Sequence, residues 1–317
     1  MTNVRTLTVD GFDEVYRIEC GGTVAFLALH ALIAGRSFGG IRIRDYLSEE
    51  HAVEDALLLA RAMSRKVVLT GIEGGGGKTV LMAPKGDRAR AVEELGRFVE
   101  SLRGRYHCGP DYGFTAADGD VMRANTRYFA AGEVSHVTAR SVLLAMRAVI
   151  EPSVVAVQGL GAVGQPLASE LARSGARVIA ADIVPVVGFE SVAPEAIYDV
   201  ECDVFAPCAL GSVLDEATIP RLRCRVVCGG ANNPFATEAD AERLRARGIT
   251  YVPDFIANAG ATIHGVSTIV GEADRIEARL DHVATLTREV VERAAREGRS
   301  PHAVAVEMAD AIIAAKR

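Results

Sequence analysis

Two lysines twelve residues apart, Lys66 and Lys78, open the chemical reading, because the second ends four consecutive glycines in the stretch GIEGGGGKTV at 71–80. A phosphate-binding P-loop needs G-x-x-x-x-G-K-[ST], and that spacing puts the first required glycine at Ile72; Gly71 is one residue too far away. The stretch also runs into a strand-like segment, whereas a P-loop opens a helix. What remains is a backbone that can approach a ligand closely while carrying a cation. Two ammonium groups converging on one site would lower each other's pKa, burial would add to this, and a neutral lysine can act as a general base. The alternative is a pair of solvated surface charges.

A second constellation lies further on. Gly159, Gly161 and Gly164 form G-x-G-x-x-G, enclosing Ala162 and Val163, directly after the strand-like VVAVQ and before an amphipathic helix. In this context the first glycine makes a tight turn, the second lets backbone approach a pyrophosphate, and the third permits close helix-to-strand packing, with the phosphates at the positive helix end. Asp182 closes the next strand at the distance where a carboxylate accepts ribose hydroxyls. The residues after it, beginning with Ile183 in IVPVV, supply no arginine for a 2′-phosphate, so NAD is favoured over NADP. A glycine turn without a ligand is the plainer alternative.

The elements that must hold these residues follow from pattern. The 317 residues suffice for two domains, and 49% hydrophobic with 24% charged residues describes a globular chain. A net charge of −6 and pI near 5.7 argue against nucleic acid or an anionic membrane as general partner. The N-terminus lacks the apolar core of a signal peptide and no run reaches the ~20 apolar residues of a spanning helix, so a cytoplasmic protein is expected. Cysteines 20, 108, 202, 208, 224 and 228 read as buried reduced thiols, and with seven scattered histidines they match no zinc pattern; no metal is expected.

Strand-like alternation in RTLTVD and EVYRIE and the run TVAFLAL lead into a helix from about Ser48 to Lys66, with Ser48 as N-cap; a second helix near 88–102 follows the strand TVLMAP. The second half reads strand, glycine turn, helix, strand, and the runs CDVFAP, RVVCGG and ITYVP recur at helix-separated intervals, as in a parallel α/β sheet. The last forty residues are helical by pattern.

The stretch GGIRIRDYLSEEHAVEDALLLARAMSRKVVLTGIEGGGGKTVLMAP resembles the catalytic domain of the leucine, phenylalanine and valine dehydrogenases, relatives of glutamate dehydrogenase, whose motif runs from G-G-x-R through M-x-x-K to G-G-G-K-[TA]. GRYHCGPDYGFT is similar to that family's aspartate segment, and FAPCALGSVLDEATI, GGANNPF and VPDFIANAGATI resemble its coenzyme-domain segments. The resemblance implies an α/β protein of two domains: a substrate, catalytic and oligomerisation domain over 1–131, with helices from about 285 to 317 packing back on it, and a Rossmann-type, parallel-sheet NAD domain over 132–284. It implies NAD-dependent, reversible oxidative deamination of an L-amino acid to a 2-oxo acid and ammonium, by a homodimer or larger homo-oligomer.

Position by position, the resemblance makes Lys66 the binder of the substrate α-carboxylate, with the amides near Gly39 and Gly40; Lys78 the general base handling water; and Asp111 the group exchanging protons with the substrate amine. Thr138, Cys208, Ala209, Asn232 and Asn258 join the glycine turn, Asp182 and Ile183 as NAD contacts, Asn258 also facing substrate. Phe38, Met63, Gly109, Ala131, Thr262 and Gly265 would line the side-chain pocket. Glycine at 109 and 265 suits a bulky, apolar or aromatic side chain, unless a backbone shift refills the space; His107 and His264 lie nearby in sequence. The chain departs from the family at Pro110, Val67 and around Ala131. Rival readings are biosynthetic amination of an unusual 2-oxo acid and a silent NAD-binding amino-acid sensor.

Overall fold

The computed structural model describes residues 3–130, 132, 134–209 and 211–317, and the chain divides into two compact units. In the first, six strands form one sheet: β1 (Asn3–Leu7), β2 (Glu14–Cys20), β3 (Thr23–Leu29), β4 (Ser37–Arg44), β5 (Gly75–Met82) and β6 (Tyr106–Pro110). Their order is β1-β2-β3-β5-β4-β6. The pairs from β1 to β5 are antiparallel, while β5, β4 and β6 run parallel.

Side chains alternate across the pleat, and each face takes its own helices. On one side, Leu27, Ile41 and Leu81 pack with Val92 and Leu95 of α2 (Arg88–Ser101) and Met122 of α3 (Ala116–Asn125). On the other, Val15, Phe26 and Val80 pack on Ala52, Ala56 and Ala60 of α1 (Glu49–Leu69). Ser48 caps α1 through a 3.3 Å bond from the His51 amide. The four-residue alanine spacing makes one small-residue stripe along the helix, and Ser64 continues it.

That stripe explains the glycine run. Gly74 precedes β5 and the next three glycines lie within the strand, which begins four residues before the expected TVLMAP. A Cβ at Gly76 would overlap the Ser64 amide, and the Ser64 hydroxyl accepts the Gly76 N–H at 2.9 Å. The close approach expected toward a ligand is therefore made, at Gly76, to a helix.

The second unit holds a wholly parallel sheet. After α4 (Ser135–Arg147) come β7 (Val154–Gln158), α5 (Gly164–Arg173), β8 (Arg177–Ala181), β9 (Glu190–Ser191), β10 (Val204–Pro207), β11 (Val226–Val227), α6 (Ala239–Ala246) and β12 (Thr250–Tyr251). The strand order β12-β11-β10-β7-β8-β9 reverses between β7 and β10, as in doubly wound dinucleotide folds, whose ligands sit at the carboxyl ends of the strands beside that reversal. Four helices follow: α7 (Asp254–Ala257), α8 (Gly260–Ile269), α9 (Ile276–Glu297) and α10 (Pro301–Lys316). Residues 265–273 and 309–317 group with the first unit and 274–308 with the second, so the tail expected to rest on the first domain from about 285 is divided between the two. Among the described residues, no helix is long and apolar enough to cross a membrane.

Candidate active site

The centre of the first unit's α1-facing sheet surface is ionic. Lys78 lies in β5, beside Ala28 of β3, and its Nζ stands 2.7 Å from Oδ2 of Asp111, one residue beyond the end of β6. The same oxygen accepts from Nε of Arg42 at 3.1 Å. Arg42 reaches Asp55 of α1 with Nη1 at 3.1 Å, and the Tyr46 hydroxyl donates to that carboxylate at 2.5 Å. Gly40, two residues before Arg42, keeps the surface open: a Cβ there would sit 3.3 Å from both Lys78 Nζ and Asp111 Cβ.

Burial sets the protonation of this group. It lowers the Lys78 amine below its ordinary value, with Arg42 adding and Asp111 opposing. At Asp111 burial acts to raise the pKa, but the Lys78 and Arg42 charges outweigh it and hold the carboxyl at about 2. A side chain only 7% exposed, with its ammonium form disfavoured, is suited to act as a general base.

Several other residues expected near substrate lie on β4, β6 and α1, the elements that carry this centre or pack against it. Lys66 is half-buried, two residues after the Ser64 that bonds to Gly76. Phe38 is buried with Val67, Ile72 and Val266, and Met63 packs on the same cluster, so Val67 is an apolar wall there. In the β4–β6 register, Phe38 faces His107 and Gly40 faces Gly109. His107 lies between the Phe38 and Tyr128 rings, 5.3 and 5.2 Å away, and burial and Arg36 lower its pKa. Pro110, at the end of β6, is exposed. Ala131 lies outside the described residues.

The two glycines expected to line the side-chain pocket differ. A Cβ at Gly265 would meet nothing within 4 Å, whereas one at Gly109 would come 3.3 Å from the Ala130 carbonyl. Residues 128–130 lie along β6, with Cys108 N bonded to Tyr128 O at 2.9 Å and Ala130 N to Cys108 O at 2.7 Å. The space expected at Gly109 is therefore bounded on one side by backbone.

In the second unit the glycine turn divides its tasks as the motif requires. Gly159 has φ +90°, which a side chain rarely tolerates, and a Cβ there would also lie 2.8 Å from the Ala209 amide. Gly161 has open space before it, and a Cβ at Gly164 would overlap the Gly159 carbonyl and stand 3.1 Å from Cys208 Cβ. Ala162 is exposed and Val163 is the N-cap residue of α5. Asp182 accepts the Leu160 amide at 2.6 Å and the Val184 amide at 3.1 Å, which holds its carboxylate beside the turn, and Ile183 is 94% exposed. These residues fit a dinucleotide: an open backbone cradle, a helix N-terminus and an anchored carboxylate.

Across the reversal, Cys208 N bonds to Gln158 O at 2.7 Å, and Asn258 Nδ2 donates to Asn232 Oδ1 at 2.9 Å, so these two asparagines meet. Thr138 is buried in the first turn of α4, its hydroxyl 3.2 Å from the Val134 carbonyl; Gly260 packs against its backbone. Thr262 is half-buried on α8.

Arg42, Asp55 and Tyr46 carry no role in the sequence reading. Arg42 is visible there only as the last residue of G-G-x-R, and its partner Asp111 is 69 positions away. Among the described residues, no three His, Cys, Asp or Glu side chains converge to hold a metal ion.

Comparison with known proteins places the chain in a family. Residues 17–133 match the family profile described as "Glu/Leu/Phe/Val dehydrogenase, dimerisation domain", and residues 184–315 the profile "Glutamate/Leucine/Phenylalanine/Valine dehydrogenase". Leucine dehydrogenase of Thermoactinomyces intermedius is 38% identical, covering 91% of this chain and 87% of that enzyme. Valine dehydrogenase of Streptomyces coelicolor is 35% identical, with 94% and 91% covered. The crystal structure of L-tryptophan dehydrogenase from Nostoc punctiforme aligns over 96% of both chains at 30% identity, with a TM-score of 0.87. The chain therefore belongs to the glutamate, leucine, phenylalanine and valine dehydrogenase family and is an amino acid dehydrogenase.

Proposed function

We propose that this protein carries out reversible, NAD-dependent oxidative deamination of an L-amino acid with a bulky apolar or aromatic side chain, giving a 2-oxo acid and ammonium. The observation that carries the reading is the buried Lys78–Asp111 pair, 2.7 Å apart beside the side-chain-free surface of Gly40. In this reading Lys66 binds the substrate carboxylate with the amides near Gly39 and Gly40. Asp111 exchanges a proton with the substrate amine, and neutral Lys78 takes the proton of the water that attacks the substrate imine carbon. Collapse of the adduct releases ammonium, and the proton on Lys78 passes to solvent.

NAD would be held by Gly159, Gly161, Ala162, Val163 and Gly164 at its phosphates, by Asp182 and Ile183 at its adenosine half, and by Thr138, Cys208, Ala209, Asn232 and Asn258 around its nicotinamide half. When bound it supplies the acceptor for the hydride leaving the substrate Cα. The bond made by Asp182 to Leu160 leaves the carboxylate charged, and that charge would repel a 2′-phosphate.

A large side chain is supported by the open space at Gly265 and by Met63, which packs on the buried apolar cluster of Phe38 and Val67; in this reading Thr262, one helical turn before Gly265, also contacts substrate. The relatives act on leucine, valine and tryptophan by name. The family profile over 17–133 is named for dimerisation, which supports a homo-oligomer. We place the reaction in the cytoplasm.

The test is to mix the protein with NAD and a panel of L-amino acids at alkaline pH and follow NADH absorbance. Steady NADH formation with leucine-sized or aromatic substrates is expected. Binding heat without turnover across the panel and the matching 2-oxo acids would replace the enzyme by a sensor.

A further inference from the structure

We propose that Arg42, fixed by Asp55 and Tyr46, is a positioning residue of this site that holds the Asp111 carboxylate against the Lys78 amine. The inference rests on the amino acid deamination proposed above and adds the residue that makes its acid–base pair work.

Five side chains from separate elements form one line of alternating charge: Lys78 of β5, Asp111 after β6, Arg42 of β4, Asp55 of α1 and, at its end, the Tyr46 hydroxyl. Arg42 and Lys78 share a single oxygen, Oδ2 of Asp111, at 3.1 and 2.7 Å. That sharing has a consequence for the reaction. When Lys78 loses its proton, an isolated Asp111 would face a neutral amine in a buried setting and would be driven to take up a proton itself. The guanidinium does not titrate in the working range and keeps a positive charge beside Oδ2, so Asp111 returns to its carboxylate form after each proton exchange with the substrate amine. Its second arm is taken by Asp55, whose two oxygens lie 3.4 and 3.1 Å from Nη1. The planar fork thus fixes direction as well as charge. All four charged side chains are at most 26% exposed, so solvent screens them weakly.

The signs of the charges make the role measurable. Arg42 disfavours a proton on Lys78; Asp111 and Asp55 favour it. Of the other elements against β5, β3 places Ala28 opposite Lys78 and leads to His30, whose Nδ1 is 2.9 Å from the Ser64 hydroxyl, and α1 also carries Lys66. Removing the Arg42 charge must raise the amine's pKa, and removing the Asp55 charge must lower it. A role confined to tying β4 to α1 would leave kcat/KM at the wild-type value in a folded Arg42→Lys protein, which keeps the charge.

The experiment uses the full chain with and without NAD. The Lys78 amine is titrated by NMR of lysine-Cε-labelled protein, with the signal assigned by its loss in Lys78→Met. Oxidation kcat/KM is followed against pH in parallel for wild type, Arg42→Met, Arg42→Lys and Asp55→Asn. Expected are a shift of about one pH unit upward in Arg42→Met and a downward shift in Asp55→Asn, because a charge within a few ångströms moves a pKa by about a unit or more. Arg42→Lys, which keeps the charge and loses the fork, should leave the titration near wild type while kcat/KM falls about 100-fold through misplacement of Asp111. Shifts of equal sign in Arg42→Met and Asp55→Asn, or no shift, would overturn the proposal; should Arg42→Met fail to fold, the sign in Asp55→Asn decides alone. Since the NMR titration needs no turnover, a wild type inactive on every amino acid would refute the deamination reading separately.

Discussion

Replacing Gly76 by alanine should damage substrate binding through a helix that the substitution does not itself alter. The new Cβ would overlap the Ser64 amide and stand 2.5 Å from both the Met63 carbonyl carbon and Ser64 Cα. Non-bonded carbons settle at about 3.5–4.0 Å, so the backbone of α1 must retreat from β5 by about 1 Å. Overpacking of this kind costs about 1–3 kcal/mol. Loss of the 2.9 Å bond between Gly76 N–H and the Ser64 hydroxyl adds about 1 kcal/mol. Lys66, proposed to bind the substrate carboxylate, rides on the displaced helix two residues beyond Ser64. A displacement of about 1 Å in a positioning group costs about 100-fold in rate. Steady-state kinetics with the best amino acid of the panel, NADH fluorescence titration and thermal melting together test this. KM for the amino acid should rise and kcat/KM fall about 100-fold, the melting temperature should drop, and NADH affinity should hold, because the glycine turn belongs to the other unit. A Gly76→Ala protein with wild-type KM and melting temperature would refute the reasoning, as would one whose NADH affinity falls in step with its activity.

Further outcomes are expected at the two carboxylates. Asp182→Ala should weaken NADH binding by at least about 10-fold, since hydrogen bonds to a charged group are worth about 1.5–3 kcal/mol, and should relax discrimination against NADPH; equal affinities in mutant and wild type by fluorescence titration would remove Asp182 from the ribose. Asp111 has a folded-state pKa of about 2, below the ordinary value of about 4. Its contribution to stability is therefore present above about pH 4 and is lost as the pH falls through 2, amounting to about 2 kcal/mol. Urea midpoints measured between pH 4 and pH 2 should fall more steeply for wild type than for Asp111→Asn, and parallel curves would contradict the depressed pKa.

Local chemistry made some of this architecture readable in advance. Ser48 caps α1 because its hydroxyl serves an amide three residues on, and VVAVQ-G-x-G-x-x-G reads as strand, turn and helix because each glycine has a local geometric task. Long-range packing hid the rest. The pattern assigns no element to SFGGIRIR, yet it is β4, placed between β5 and β6 with Phe38, Gly40 and Arg42 on one pleat face. Four glycines disfavour a strand by intrinsic preference; three of them lie in one because α1 presses against Gly76, a fact no single window of sequence contains. Lys78 and Asp111 meet at 2.7 Å across 33 residues, and resemblance to a family points to them where spacing does not. Arg42 escaped for the same reason: its partners are 13 and 69 positions away and only the sheet register unites them. At Gly109 a missing side chain suggested space, and the Ala130 carbonyl borders it through a backbone pairing that no local pattern announces.

Lys78, proposed as the base of amino acid oxidation, is the residue on which the chemistry turns. Comparing kcat/KM of wild type and Lys78→Ala across pH with the preferred amino acid, alongside NADH affinity, tests it most directly. A loss of about 100-fold to 10,000-fold in kcat/KM is predicted, with NADH affinity unchanged and the wild-type rise of kcat/KM with deprotonation of Lys78 gone from the variant. A Lys78→Ala enzyme oxidising the amino acid at the wild-type rate, with the same pH profile, would contradict it.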